Sequence, residues 1–492
     1  MSLDRAAVAA AVRALDLEAL SGARWFAAKG EAVTSARLAH AFAPSSGAVI
    51  ALVDFRVGEG AGRVERYVLP FAARHDGTVV PAEPDDGVWR ALAVAMAEGR
   101  TIPALGRAPG LGPGSGRGSV DAALVCRPAR GFADVWPAGV PALGEAEERP
   151  LGRDQSNTSA VLGGSLLLKA YRRIQPGLNP DLELTAFLSE EAGFPGVPRL
   201  AGWAEAVTKD GGASTLAMLQ AFVGFAEDAY EATAERLAAL VAGPGPVDLE
   251  VVTGLAEDLG GLVAGLHAAL SAPPREAADM TPRAATRDEL KAWRLEAHRR
   301  LNRAVADVAA VDPDLADELR QSGAQIAARA SRFEAVATPP LVMRIHADLH
   351  LGQILIADDG YRVIDFEGEP LRPVEERRRL DSPLRDVASM LRSLDHVARS
   401  ARRRAERRHG GPIERPGLDA DAWLGRARQR FLDAYAAGLR REGTPIALDL
   451  DLLDAFEVAK ECYELSYAAT VLPSWLWAPR DGMRWLLAHG EP

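Results

Sequence analysis

Lysine is scarce in this chain. Lys and Arg together number 57 in 492 residues, and only Lys29, Lys169, Lys209, Lys291 and Lys460 are lysines. A compact ammonium and a planar guanidinium fork do different chemistry, so each lysine stands where the abundant alternative was passed over. Cysteine is scarcer still. Cys126 and Cys462 lie far apart in sequence, which excludes a disulfide framework and fits a reducing, cytoplasmic setting. No apolar run approaches the ~18 residues of a membrane-spanning helix. The N-terminal MSLDRAAVAAAVRALDLEAL mixes acid and base and has no apolar signal core. Positive charge is in deficit, with a formal net charge of −11. That excess of acid favours solubility and argues against a nucleic-acid or membrane partner. The expectation is a cytoplasmic monomer or homodimer that binds small molecules.

What is present reads as an ordered series. A chain of 492 residues exceeds one ordinary core, so two or three domains are expected. Residues 4–20 carry an amphipathic helical pattern. GAVIALVDFRV (47–57) and RVERYVLPFAAR (63–74) predict antiparallel strands, and DDGVWRALAVAMAEGR (85–100) a helix. Residues 1–92 thus form a small α+β cap. GRAPGLGPGSGRGS (106–119) is a Gly/Pro/Ser connection; prolines interrupt its glycines, and no strand-to-helix transition frames them as a phosphate loop. VDAALVCRPAR is a strand candidate. SAVLGGSLLLKAYRRI (159–174) predicts a hairpin around its GG pair. NPDLELTAFLSEEAG predicts a helix capped by Asn179 with Pro180 first, and TLAMLQAFV (215–223) a buried strand. These make a second unit, 93–220. From 227 to 336 the pattern is almost wholly helical, and helices return at 380–400, 420–441 and 451–468, giving a helical lobe over 221–492. The basic cluster RSARRRAERRHGGP (399–412) is expected to be a solvated loop between helices.

The chemistry concentrates in VMRIHADLHLGQILIADDGYRVIDFEGEP (342–370). Phosphoryl transfer needs a carboxylate for the attacking hydroxyl, oxygen ligands for Mg²⁺ and a cation on the phosphates. Asp348 is followed five residues later by Gln353, which is kinase catalytic-loop spacing with Gln in place of Asn. Asp348 is the candidate base. QILIAD and YRVIDF predict two short strands turning at Asp358-Asp359-Gly360, the second delivering Asp365 beside Phe366. Gln353 and Asp365 are the candidate metal ligands, with Glu367 and Glu369 nearby. Upstream, Lys169 ends a strand and Glu183 sits on the following helix, the strand-Lys to helix-Glu pairing that holds ATP phosphates. Ser156, Asn157, Thr158 and Ser159 could cover those phosphates. MLQAFV, with Gln220 and Phe222, would be the hinge that meets adenine. His346-x-Asp348-x-His350 also has the look of a metal cluster. A hydrolytic zinc site wants more ligands than that, and the other histidines lack pair spacing. His346 and His350 are therefore expected to orient the catalytic loop.

HADLHLGQILI, IDFEGEP, ERRRLDSPLRDVASMLRSLD, NPDLEL and the N-terminal ARWFAAKG resemble the actinobacterial maltokinases and their relatives over nearly the whole chain. The resemblance implies an α+β, bilobal, protein-kinase-like fold of the aminoglycoside phosphotransferase type with an N-terminal cap. It implies an ATP- and Mg²⁺-dependent sugar kinase. It also implies that Asp386 braces the catalytic loop, with Arg385 a lesser candidate.

The last long helix carries the text that bears on the acceptor. In FEVAKECYELSYAATVLPSWLWAP, Glu457, Lys460, Glu461 and Glu464 fall at i, i+3, i+4 and i+7 and share a face. Tyr463 and Tyr467 adjoin it, and Trp475, Trp477 and Trp485 follow. Carboxylates and aromatic planes are how proteins hold sugars. With His350 and Asp348 these residues are the expected acceptor site, Glu457, Lys460, Glu461, Tyr463, Glu464 and Trp475 foremost. The YAATVLPSWLWAP segment resembles glucosamine kinases more than maltokinases, which continue with a Glu-Ala-Arg run. A carboxylate-rich pocket favours an ammonium-bearing sugar. The expectation is phosphorylation of D-glucosamine to the 6-phosphate. Maltose phosphorylation to the 1-phosphate is the main alternative. Another small-sugar or aminoglycoside kinase and a non-catalytic pseudokinase remain open.

Overall fold

The structure is a computed structural model that describes residues 4–489 apart from 24, 27–30, 59–61, 107–121, 153–156, 225, 243–248, 273–277, 369–371, 412 and 414–419. The Gly-rich connection 106–119 and Ser156 therefore lie almost wholly outside the described residues. The chain divides into two compact units. One comprises Met1–Glu190, Pro198–Gly224 and Pro370–Glu376; the other comprises Glu191–Val197, Phe225–Glu369 and Arg377–Pro492.

The first unit opens on α1 (Arg5–Arg13) and α2 (Leu17–Ser21). One continuous helix was expected over 4–20. The break arises because Asp16 accepts the Ala19 N–H and so starts a new first turn. Strands β1 (Val33–Phe42), β2 (Ala48–Val57), β3 (Arg63–Ala73) and β4 (Val79–Pro81) follow, antiparallel throughout. β2 is apolar along its length because both faces are covered. Val49, Ala51, Val53 and Phe55 pack with Phe26 and Tyr67. Ile50 and Leu52 pack instead with Trp89, Leu92 and Met96 of α3 (Val88–Ala97).

A seven-stranded sheet completes this unit in the order β5-β6-β11-β12-β9-β8-β7. Its strands are β5 (Thr101–Pro103), β6 (Ala122–Pro128), β7 (Glu148–Pro150), β8 (Thr158–Leu162), β9 (Leu166–Ala170), β11 (Leu200–Thr208) and β12 (Ala213–Ala221). The short β10 (Arg173–Ile174) returns to β3. The β8–β9 hairpin turns on Gly163 and Gly164, both at positive φ (55° and 69°). A Cβ on Gly163 would also lie 2.5 Å from the Trp136 ring, so glycine is required there on two counts. Short helices α4 (Phe132–Val135) and α5 (Gly139–Gly144) precede β7, and α6 (Pro180–Ala186) starts on Asn179 and Pro180 as its sequence predicts.

The second unit is largely helical: α7 (Ala229–Ala242), α8 (Leu249–Ser271), α9 (Arg287–Ala309), α10 (Pro313–Gln321), α11 (Gly323–Ser331), α13 (Pro383–His409), α14 (Ala420–Glu442), α15 (Leu450–Val471) and α16 (Trp477–His489), while the turn α12 (Val374–Arg377) falls in the first unit except for its last residue. Gly260 and Gly438 let α8 and α14 approach. A Cβ on Gly260 would meet Phe431 O at 2.3 Å, and one on Gly438 would meet Ala264 at 2.5 Å.

The basic cluster 399–412 is not a loop. α13 runs through it to His409 and stops where Gly410 takes the left-handed conformation (φ 81°). Its arginines pair with acids on the next turn of α13 and on α7. Arg402 pairs with Glu406, Arg404 with Glu231 and Glu235 of α7, and Arg408 with Glu235.

A buried ion cluster ties α13, α14 and α15 together. Glu457 Oε1 accepts from Arg392 Nη2 at 2.8 Å and from Arg428 Nη1 at 2.6 Å, and Oε2 accepts from Arg428 Nη2 at 2.8 Å. Trp485 of α16 covers both guanidinium groups at 5.9 and 5.0 Å. Burial alone would raise the Glu457 carboxyl, but Arg428 and Arg392 hold it below the usual carboxylate range. A carboxyl lowered on folding stabilises above its unfolded value and loses that contribution as pH falls through the folded one. Glu457→Gln should therefore cost about 3 kcal/mol in urea unfolding at pH 7, with the deficit narrowing in acid. A loss below ~0.5 kcal/mol would show that the cluster adds nothing.

Candidate active site

After the two-residue strands β13 (Glu227–Asp228) and β14 (Arg283–Ala284), β15 (Leu341–Val342) leads into the loop that the sequence marked for chemistry. The Asp386 carboxylate, buried in the first turn of α13, accepts the His346 N–H on Oδ2 at 2.8 Å and the Ala347 N–H on Oδ1 at 2.9 Å. Ala347 is held at φ 70°, a conformation that an L side chain resists. Asp348 follows directly, its side chain about one-third exposed at 35%.

The histidines are occupied as hydrogen-bond partners. His346 Nε2 meets Ile364 O at 3.0 Å, and its Nδ1 accepts the Asp348 N–H at 3.3 Å. One neutral tautomer satisfies both contacts. His350 Nδ1 accepts the Gly352 N–H at 3.1 Å and caps the short turn Leu351–Gln353. Burial pushes His350 below its ordinary value against the pull of Asp348, which keeps the ring neutral and able to accept. These contacts do not leave the His-x-Asp-x-His run arranged as a zinc site. The Leu351 N–H is in turn fixed by Ser393 Oγ at 3.1 Å.

The hairpin β16 (Ile354–Ala357) and β17 (Gly360–Val363) turns at Asp358 and Asp359, as its sequence predicts. It brings Asp365 back to Gln353, with Gln353 Nε2 3.4 Å from Asp365 Oδ2. Asp365 also sits at positive φ (67°). Phe366 is buried against the His346 ring, the two centroids 4.8 Å apart. The Gln353 side chain also carries an amide oxygen, and with the Asp365 carboxylate beside it the pair offers oxygen donors of the kind that suit a hard divalent cation.

α15 brings Lys460 to this loop. Its Nζ lies 3.7 Å from Asp348 Oδ1 and 2.8 Å from Glu464 Oε1. Burial opposes the Lys460 charge, yet Glu464 and then Asp348 hold its ammonium above its ordinary value. Burial likewise opposes charge on Glu464, and Lys460 outweighs it. Lys460 also lies 5.0 Å over the Tyr463 ring, which stacks with Tyr467.

Two residues expected on the same face are elsewhere. Glu457 is spent on Arg392 and Arg428. Glu461 is fully buried, its Oε1 3.6 Å from His396 Nε2, and α16 presses on it so closely that a Cβ on Gly482 would lie 2.3 Å away. Helical spacing groups positions along a stripe, but a neighbouring helix covers part of this one. Burial keeps the Glu461 carboxyl above the usual range. Trp475 stands edge-on to His396 at 6.4 Å and packs with Trp477, whereas Trp485 belongs to the arginine cluster. Arg385 pairs with Asp381 at 2.8 Å, lies 3.4 Å from Glu296 and sits 5.0 Å over the Phe456 ring.

In the first unit, Lys169 of β9 donates to Asp181 Oδ2 at 2.7 Å, and Tyr171 OH donates to the same oxygen at 3.0 Å. Asp181, two residues before the expected Glu183, is an acid partner of Lys169 that the sequence reading did not name. It lies in the first turn of α6 with Asn179 capping its N–H, and both acids are buried. Ser159 faces Lys169 across the hairpin. Asn157 Oδ1 accepts the Arg172 N–H at 3.4 Å. Gln220 is buried on β12, and the Phe222 N–H bonds Ser165 O under the Arg149 side chain.

Among the described residues no helix is long and apolar enough to cross a membrane. A phosphotransferase enzyme family model matches residues 147–424. A glucosamine kinase of Streptacidiphilus jiangxiensis is 30% identical over 439 residues, which cover 87% of this chain and 89% of that one. A second, from Mycolicibacterium smegmatis, is 30% identical over 351 residues, 70% and 80% of the two chains. A solved glucosamine kinase in complex with glucosamine, ADP and inorganic phosphate matches with a TM-score of 0.69 at 26% identity, covering 97% of this chain and 98% of its own. The α+β kinase-like fold expected from the sequence is thus the one observed. The chain, an ATP-using phosphotransferase with an alcohol group as acceptor, belongs to the phosphotransferase enzyme family and groups there with glucosamine kinases.

Proposed function

We propose that this protein phosphorylates D-glucosamine on its primary hydroxyl, using ATP and Mg²⁺ and yielding glucosamine 6-phosphate. One observation supports the choice of acceptor. The carboxylates of Asp348 and Glu464 share the single ammonium of Lys460, and burial keeps the adjacent His350 neutral. That group carries a net negative charge, and a cationic sugar is attracted to it where a neutral one is not. The relatives named glucosamine kinase support the same reading.

Asp348 is the catalytic base in this proposal. It takes the proton from the hydroxyl as that oxygen attacks the terminal phosphorus. Gln353 and Asp365 would hold Mg²⁺, which neutralises phosphate charge when bound. Lys169, steadied by Asp181, supplies a cation for the nucleotide phosphates. Glu183, Asn157, Ser159, Gln220 and Phe222 are assigned to the nucleotide, and Lys460, Tyr463, Glu464 and Trp475 to the sugar.

ADP release should be fastest with glucosamine in a panel with maltose, glucose and an aminoglycoside. A maltose rate exceeding the glucosamine rate would overturn the assignment. Asp348→Asn should lower kcat by about 100-fold or more while nucleotide binding persists; near-normal turnover would remove Asp348 from the role of base. Lys169→Met should raise the KM for ATP by roughly 10-fold and leave the sugar KM alone, and the reverse pattern would place Lys169 at the acceptor. Glu464→Gln should weaken glucosamine by about 10-fold and glucose hardly at all. Equal losses would mean that Glu464 does not read the ammonium.

A further inference from the structure

Two buried polar side chains behind the catalytic loop have no part in the scheme above. His267 of α8 is fully buried, with Nε2 3.4 Å from Asp386 Oδ2 and Nδ1 2.8 Å from the Tyr435 hydroxyl of α14. Tyr435 is buried too, its ring stacked on Phe431 and edge-on to His267. The direction of the chain follows from what each group can do. An ionised Asp386 only accepts, so His267 carries its proton on Nε2, and its bare Nδ1 accepts the hydrogen bond that the Tyr435 hydroxyl donates. Burial, reinforced by the Asp386 charge, raises Tyr435 and keeps it a phenol.

We propose that His267 and Tyr435 are positioning residues for phosphoryl transfer. They complete a hydrogen-bonded chain, Tyr435 to His267 to Asp386, that fixes the carboxylate holding the His346–Ala347 backbone and so sets where Asp348 points. Asp386 Oδ2 takes both the His346 N–H and the His267 N–H, so the imidazole settles the orientation of the grip. Without it the carboxylate can swing, and Ala347 at φ 70° is the first residue free to relax. This proposal rests on the assignment of Asp348 as catalytic base.

The test measures kcat, both KM values and thermal stability of the full chain with ATP, Mg²⁺ and glucosamine. His267→Phe keeps an aromatic ring but no polar atom, and kcat should fall about 30-fold with both KM values within about twofold. His267→Gln can still donate to Asp386 and accept from Tyr435, and should recover most of that loss. Tyr435→Phe should cost about 5-fold alone and nothing more in the His267→Phe background, because the two act as one chain. A His267→Phe enzyme that melts lower yet keeps its kcat within twofold would overturn the proposal, leaving His267 as packing. So would a failure of Gln to outperform Phe, or additive losses in the double variant. Asp348→Asn separates the two readings: if it retains turnover, the base assignment fails, whereas its inactivity beside a normal His267→Phe enzyme rejects positioning alone.

Discussion

Asp386 grips the catalytic loop at two consecutive backbone N–H groups, and the geometry of the site in the helical unit depends on that grip. A non-glycine residue at φ 70° costs roughly 1–2 kcal/mol, and Ala347 adopts it one residue before Asp348. Hydrogen bonds to a charged group contribute about 1.5–3 kcal/mol each. Two of them, at 2.8 and 2.9 Å, outweigh the strain. The bend is what lets His346 reach both forward to the Asp348 N–H and across to Ile364 O. That second contact ties the loop to the hairpin that returns Asp365 to Gln353. A single buried carboxylate thus sets the relation between the proposed base and the proposed metal ligands.

Arginine and lysine divide the remaining charge by geometry. Where a carboxylate must be buried and neutralised completely, arginine does it: Arg428 grips both oxygens of Glu457 while Arg392 adds two more bonds to one of them. Asp395, His396 and Glu461 place ligand-type atoms within 4.8 Å of one another, as a metal site would. Arg399 already lies 2.7 Å from Asp395, and Arg392 3.9 Å from Glu461, so cationic charge is supplied there. Two of the five lysines put one small charge at the proposed site residues, Lys169 against Asp181 and Lys460 between Asp348 and Glu464. A guanidinium fork would tend to lock onto one carboxylate.

Local signals in the sequence located the local structure. The Gly163-Gly164 turn, the Asn179-Pro180 helix start and the Asp358-Asp359-Gly360 turn are all where their residues require. The five-residue step from Asp348 to Gln353 was legible because it lies within one loop. Partnerships between distant segments were not. Nothing local in NPDLEL tells that Asp181 will meet the lysine, because that depends on how α6 sits against β9. The stripe from Glu457 to Glu464 has correct helical spacing, yet α13, α14 and α16 claim two of its acids. The arginine-rich run reads as solvated because its compensating acids, Glu231 and Glu235, lie about 170 residues upstream. His267 offered only a lone histidine on an apolar helix, which by itself is more often packing than function.

The preference for an aminosugar can be argued from what Lys460 does before any sugar arrives. Two carboxylates face one ammonium, and burial holds His350 neutral against its neighbours' charge. The four groups together keep one uncompensated negative charge at a partly buried surface. Water screens that charge incompletely, so it raises the affinity of a cation more than an exposed pair would. A neutral sugar displaces water without relieving the imbalance, and its hydroxyls must compete for oxygens that Lys460 already engages. An ammonium relieves it directly. Lys460, the feature of this face least expected beside a cationic ligand, is then what limits the negative charge that Asp348 and Glu464 present.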